Sequence, residues 1–450
     1  MAKDMTKGNP GKTLFFFAVP MVLGNLFQQL YNIIDSIIVG NYVGRFLGAD
    51  ALAAVGASSS ITFLFVAIAT GLSIGSSVVI SQYFGAKRYG EMKTAIQTVL
   101  LVSFVIALCL MLVGIFGTDA ILRFMQTPQK IFSDASLYLK IYFCGLVFLF
   151  LYNMLTASFN AIGDSKSPLV FLALSSVCNI VLDLYFVTKL KMGVAGAALA
   201  TDISQAISVV VSFLWLCTRM KKMKTQQKSR IFDLHILEIV CNVAVPSMLQ
   251  QSMVSIGIFL VQRLVNGYGE AVMAGYAAAT KIDSIAILPM VNVGNAVSTF
   301  TAQNIGGKKP ERVKEGFRAG LLMSAVIGVI VTGILLVYAK VFVGLFMDSS
   351  SNQAAIATGI EYLRVVGLFY ALMGIMNTCT GVLRGAGDIL WFLMVTLINL
   401  SSRVILAYSM SGMLGAKAIW WSIPIGWGIG FAIGFVRYLS GKWQKSSLIE

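Results

Sequence analysis

Charge is scarce in this chain of 450 residues. Asp, Glu, Lys and Arg together make up 12% of it, about half the roughly 25% of an ordinary soluble domain. So little charge cannot coat a water-facing surface for a chain of this length. Hydrophobic residues reach 57% and mean hydropathy is +0.83. Runs such as Leu14–Val43, Ile61–Ile80, Ala95–Phe116 and Ile141–Ala157 exceed or approach the roughly 20 residues that cross a bilayer as helix. A soluble enzyme, a DNA-binding protein and a disordered chain are excluded at this point. The fold class expected is an all-α polytopic membrane protein.

Other absences narrow the chemistry. No G-x-x-x-x-G-K-[ST] run is present, so ATP is not the direct energy source. The six cysteines lie in apolar segments without paired spacing, which reads as buried small residues and not as a metal site or disulfide framework. A single histidine, His235, falls in a polar linker. It cannot serve Gly71-Leu72-Ser73-Ile74-Gly75, which matches the hydrolase pattern G-x-S-x-G but lies inside an apolar helix instead of a strand-to-helix elbow. Small residues for close helix packing explain that run better. No enzyme and no cofactor are expected. The first apolar stretch is far longer than a signal-peptide core, so cleavage is not expected.

Polar breaks divide the chain into twelve predicted spans: 13–40, 50–82, 93–117, 134–160, 166–188, 193–218, 238–266, 271–303, 316–340, 356–382, 389–410 and 414–438. With the N-terminus inside, 22 of the 34 Lys+Arg residues fall on the inner side, nine on the outer side, and Arg263, Lys281 and Arg403 within spans. The positive-inside rule then places both termini in the cytoplasm of a plasma (inner) membrane protein. The net charge of +15 is thereby an orientation signal and a contact for anionic membrane lipids, with no nucleic-acid partner expected.

The two halves resemble each other. Ala18-Val19-Pro20 recurs as Ala244-Val245-Pro246, and Gln82-Tyr83-Phe84-Gly85-Ala86-Lys87 as Gln303-Asn304-Ile305-Gly306-Gly307-Lys308. Gly163-Asp164 recurs as Gly387-Asp388, and Gly193-Val194-Ala195-Gly196-Ala197 as Gly412-Met413-Leu414-Gly415-Ala416, at offsets of 226, 221, 224 and 219. Six spans per half is an even number, so the repeats share one orientation and are related by a pseudo-two-fold along the membrane normal. The expected domains are an N-lobe (1–218), a basic cytoplasmic linker (219–237) and a C-lobe (238–450), with a central cleft between the lobes.

Ionisable residues inside membrane helices are expensive, which makes them functional candidates by default. The N-lobe has Asp35, Asp183 and Asp202. Asp35 lies five residues, about 8 Å of helix, before Gly40. Asp183 is near the outer end of span 5, and Thr201 and Asp202 are in the early turns of span 6, so all share one depth. Asn179 and Asp183 share a face at i,i+4, as do Tyr31 and Asp35. Thr201 and Asp202 point about 100° apart, so both cannot aim equally well at one centre. Carboxylates in low dielectric can take up a proton near neutral pH. With Asn179 and Thr201, Asp35 and Asp183 also supply hard oxygens for a sodium ion. The cation such a cluster can take is therefore H+ or Na+.

The C-lobe breaks the symmetry. Asp35 corresponds to Val261, and aligning Asn399 with Asn179 sets Arg403 opposite Asp183. The one acid deep in C-lobe apolar sequence is Asp283, expected to be an ion-pair partner of Arg263, Lys281 or Arg403, otherwise part of a substrate cleft. Met253, Met290 and other methionines suit an adaptable cleft. Pro20 and Pro246 interrupt the backbone ladder of their spans and kink them.

Pro20 followed by Gln28, Tyr31 and Asp35, the Gly85-Ala86-Lys87 and Gly163-Asp164 turns, and the 6+6 repeat together resemble the multidrug and toxic compound extrusion (MATE) transporters, most closely the DinF-like branch. The resemblance spans essentially the whole chain. It implies a V-shaped pair of six-helix bundles that exports amphipathic, often cationic, small molecules in exchange for protons or sodium. The branch pattern matches at Pro20, Tyr31, Asp35, Asn153, Asn179, Asp183 and Thr201, which implies coupling-ion and substrate roles there and a hinge at Pro20. The substrate cleft expected on these grounds includes Tyr31, Gln28, Asn153, Met253, Met290 and Asp283, in a monomer. A lipid or lipid-linked oligosaccharide flippase of the same superfamily is the alternative, kept open by Arg263, Lys281 and Arg403. A gated ion channel is a more distant one.

Overall fold

The computed structural model describes residues 4–38, 49–223, 225, 227–346 and 353–449, with the backbone alone described at 32–38 and 49–60. It is 88% helical, with no strand among the described residues. In chain order the helices are α1 (Pro10–Ile38), α2 (Ala49–Gly85), α3 (Tyr89–Phe124), α4 (Gln129–Ala161), α5 (Lys166–Asp183), α6 (Gly193–Lys222) and α7 (Leu234–Asn266). They continue as α8 (Glu270–Ala286), α9 (Leu288–Gly306), α10 (Pro310–Gly344), α11 (Gln353–Gly367), α12 (Tyr370–Ala386), α13 (Ile389–Leu414) and α14 (Lys417–Leu439).

Each predicted span has its helix. Among the described residues eleven stretches are long and apolar enough to cross a membrane, or twelve with α11 and α12 taken as one bent span. Three departures from regularity are not visible as apolar periodicity. After Asp183 the chain widens into a π-helix, Leu184–Lys189. The eighth span is interrupted at Ile287, just ahead of Pro289 in the first turn of α9, where the ring cannot donate to the preceding turn. The tenth span bends by 50° between α11 and α12. Pro20, Pro246 and Pro424, in contrast, sit inside continuous helices.

Two compact units emerge, and they cut across the sequence halves. Unit 1 comprises Leu23–Ile80 and Arg88–Met248; unit 2 comprises Asp4–Val22, Ser81–Lys87 and Leu249 onward. Helix α1 therefore changes unit between Val22 and Leu23, two residues after Pro20. In unit 1, α2 and α7 approach closely. A Cβ on Gly71 would fall 2.4 Å from Met248 Cα, and one on Gly75 would fall 2.4 Å from Ala244 Cα. Gly71 and Gly75 thus serve helix packing, which disposes of the hydrolase reading of this run.

The repeat persists in backbone detail. Gly163 and Gly387 have φ of +78° and +91°, and Asp164 and Asp388 N–H donate back to Phe159 O and Leu383 O at 2.9 Å. This is a Schellman turn, whose left-handed residue favours glycine. Each aspartate then pairs with an arginine at the end of its half's last helix: Asp164 with Arg219 at 3.4 Å and Asp388 with Arg437 at 2.6 Å. Each guanidinium also lies over a tryptophan ring, Trp215 or Trp391. Lys87 and Lys308 share a left-handed backbone, at 59° and 55°. At the fourth motif the structure corrects the register. Gly193 and Gly415, not Gly412, share φ of +58° at the entry to the last helix of each half, because the turn geometry and not the flanking small residues defines the equivalence.

Unit 2 includes a reciprocal crossing of the repeated Gln82 and Gln303 segments. A Cβ on Gly85 would meet Gln303 O at 1.8 Å, and one on Gly306 would meet Gln82 O at 2.0 Å. Gln82 Nε2 donates to Gly385 O (3.2 Å), and Gln82 Oε1 accepts from Leu448 N–H (2.9 Å). Gln303 Oε1 accepts from Met5 N–H at 3.0 Å. The two glutamines thus tie one terminal segment each to the crossing.

Candidate functional site

In unit 1 the polar centre forms where α1, α5 and α6 meet. Asp183 is the last residue of α5 and is wholly buried; Asn179, one turn earlier on the same face, is 1% exposed. In the amide orientation that satisfies both ends, Asn179 donates to Asp183 Oδ2 at 2.7 Å and to the Tyr31 hydroxyl at 3.2 Å. Its oxygen then accepts from the Thr201 hydroxyl and backbone N–H, each at 3.2 Å. Thr201 Oγ1 also lies 3.1 Å from Ala197 O. Four of the expected residues, Tyr31, Asn179, Asp183 and Thr201, thus converge on one amide. The α-to-π transition falls directly after Asp183, and such wide turns gather at functional sites because they re-aim side chains. Carboxylate, amide, hydroxyl and phenol oxygens in one enclosed place make a donor set suited to a proton or a hard monovalent cation.

Other expected residues fall elsewhere. Asp35 follows Tyr31 by one turn in α1, but its side chain lies outside the described residues. Asp202, beside Thr201 in sequence, points the other way. Its Oδ1 fills the notch left by Gly145 on α4, 1.9 Å from where a Cβ would stand, and it makes no bond to the Asn179 centre. The helix rotation of about 100° per residue is the reason. Asn153 donates to Leu149 O of its own helix at 2.9 Å. Gln28 is exposed and Pro20 buried.

In unit 2, Met253 is exposed, whereas Met290 has no exposure and packs in the hydrophobic core beside Gly374. The ion-pair expectation for Asp283 is corrected. No base lies within ion-pair distance of it among the described residues. Tyr370 hydroxyl donates to Oδ1 at 2.6 Å and Tyr362 hydroxyl to Oδ2 at 3.5 Å. Lys281, two residues away and therefore on another face, is exposed and lies over the Phe346 ring. The tyrosines were missed because they come from α11 and α12, some 80–90 residues downstream, a separation that carries no local signal.

A helical, multi-pass membrane chain with two matched halves and a carboxylate buried among its spans has the build of a secondary transporter. The MatE family model matches residues 20–185 and 246–409, one match in each half. A probable multidrug resistance protein of Bacillus subtilis, YpnP, is 31% identical over 451 residues, 99% of each chain. NorM of Thermotoga maritima, also a probable multidrug resistance protein, is 23% identical across 97% of this chain and 94% of its own. A MATE crystallised in complex with MaL6 superposes with a TM-score of 0.89 at 25% identity, covering 99% of this chain and 98% of that one. An outward-facing multidrug resistance MATE transporter superposes with a TM-score of 0.88, also at 25% identity, with the same coverage of both chains. The chain belongs to the MatE family and is a MATE efflux transporter.

Proposed function

We propose that this transporter is a cation-coupled antiporter that exports amphipathic, often cationic, organic compounds by alternating access, as a monomer in the plasma membrane with both termini cytoplasmic. The observation that carries the reading is Asp183, a wholly buried membrane carboxylate held by Asn179 in a centre that also receives Tyr31 and Thr201. A buried carboxylate is retained in a membrane helix at a cost of a few kcal/mol, and exchange of a proton or sodium ion is what that cost supports. Asp35, one turn after Tyr31 in the sequence of α1, completes the site in this reading. Substrate and ion compete: loading Asp183 and Asp35 from outside weakens the hold on the exported compound. Pro20 acts as the hinge, two residues before α1 passes from one unit to the other. Several relatives bear the names of multidrug resistance or export proteins, in keeping with this substrate class.

The test is transport in proteoliposomes loaded with a fluorescent lipophilic cation, with proton and sodium gradients imposed separately. One of the two gradients should drive efflux, and Asp183→Asn should lower the driven rate at least tenfold. Efflux indifferent to both gradients, or an Asp183→Asn variant as active as wild type, would sink the reading.

A further inference from the structure

The eighth and tenth spans both interrupt their helices, and one carboxylate joins the two interruptions. Asp283 stands one turn before Ile287, where α8 gives way to α9, and its backbone carbonyl accepts the Ile287 N–H at 3.0 Å. Tyr370 is the first residue after the 50° bend of the tenth span, and Tyr362 lies before it. Their hydroxyls donate to Oδ1 and Oδ2 of Asp283 respectively, so a single carboxylate is gripped from both sides of the bend. Arg403 of α13 attracts it from beyond ion-pair distance. The buried Nε of Arg403 has no hydrogen-bond partner among the described residues. Tyr276, Tyr362 and Trp420 pack ring against ring, and the buried Trp420 Nε1 also has no partner among the described residues.

We propose that Asp283 is a second proton-binding carboxylate, lodged in unit 2, whose loading loosens the joint between the broken eighth and tenth spans. It rests on the antiport reading above and adds a site to it. Both carboxylate oxygens are already met by hydroxyls and a cationic guanidinium stands nearby. A sodium ion would have to displace the first and oppose the second, whereas a proton needs no coordination sphere. The ionised carboxylate accepts from both tyrosines, and bonds to a charged acceptor are roughly twice as strong as neutral ones. A proton added to Oδ1 or Oδ2 removes that charge and brings a hydrogen that must itself be donated, so at least one tyrosine bond is reversed or lost. The groups facing Asp283 are Tyr362 and Tyr370 from the tenth span and Arg403 from α13. On its own helix are Tyr276 and the exposed Lys281.

The test counts protons. The purified full chain in weakly buffered detergent is titrated with tetraphenylphosphonium while a pH indicator reports release. Wild type should release about twice the protons per bound cation of either Asp183→Asn or Asp283→Asn. Tyr370→Phe, which weakens the joint but keeps the acid, should release as many as wild type. Asp283→Asn matching wild type, or Tyr370→Phe losing the same proton, overturns the proposal. Undiminished release from Asp183→Asn with release abolished in Asp283→Asn keeps the proposal and assigns sodium to unit 1, whereas no release from wild type overturns the proposal. Infrared difference spectra of wild type and Tyr370→Phe cover the case in which Asp283→Asn is too unstable to purify. Cation binding should deplete a protonated-carboxyl band that the tyrosine variant displaces, and an undisplaced band overturns the proposal.

Discussion

The reciprocal crossing in unit 2 makes a quantitative prediction. In Gly306→Ala the new methyl group would stand 2.0 Å from Gln82 O, and in Gly85→Ala it would stand 1.8 Å from Gln303 O. Both obstacles are helix carbonyls, which cannot swing aside like the end of a side chain. Relief requires the two backbones to part by about 1 Å, since carbon–oxygen contacts much below 3 Å are strongly repulsive. Overpacking of this kind costs about 1–3 kcal/mol. Parting also stretches the Gln82–Gly385 and Gln82–Leu448 hydrogen bonds, each worth about 1 kcal/mol. A single substitution should therefore destabilise by about 3–5 kcal/mol. The double variant should cost little more than either single one, because one separation relieves both clashes, and neighbouring sites of this kind do not add. The assay is the apparent unfolding midpoint in detergent, read by tryptophan fluorescence. Gly333→Ala is the control, because a Cβ there meets nothing within 4 Å among the described residues and alanine is the better helix former. If Gly306→Ala melts with Gly333→Ala, or the two crossing variants add fully, the packing argument is refuted.

Further outcomes follow from the same geometry. Arg437→Gln should destabilise by about 3 kcal/mol, since it strands Asp388, which is 7% exposed, without its cation; equal melting of wild type and variant would refute this. Arg219→Gln should cost less, because Asp164 keeps its bonds to Ser167 N–H and Oγ; a thermal scan of the two variants side by side decides the order. Gly145→Ala should expel the Asp202 carboxylate from its notch at about 1–3 kcal/mol. Adding Asp202→Ala should recover most of the loss, and no recovery would show that another neighbour clashes. Gly75→Val should impair folding by driving α2 from α7 at Ala244, seen as lower yield of monodisperse protein.

The polytopic fold was legible in the sequence because the membrane filters residues one at a time. Each apolar run must satisfy its own backbone as a helix, so span positions follow from local composition. The repeated turns were legible for a related reason: a left-handed backbone favours glycine, as at Gly163 and Gly387, wherever the chain goes next. The candidate site was legible in part, since Asn179 and Asp183 share a face of one helix by spacing alone and membrane acids stand out by rarity.

Tertiary structure alone decided which groups meet. Thr201 joins the Asn179 centre while its neighbour Asp202 turns to Gly145, because a helix divides adjacent residues between different partners. Asp283 is held by Tyr362 and Tyr370, not by the bases whose charges suggested themselves, because pairing depends on which faces pack and not on charge or distance along the chain. The π-turn after Asp183, the bend before Tyr370 and the passing of Gly85 and Gly306 likewise arise from packing between elements. The apolar pattern of a membrane span reports burial in lipid or protein without saying which neighbour lies on the other side. The scarce charge of this chain marked where chemistry could reside, and only the packing of the helices determined what each charge touches.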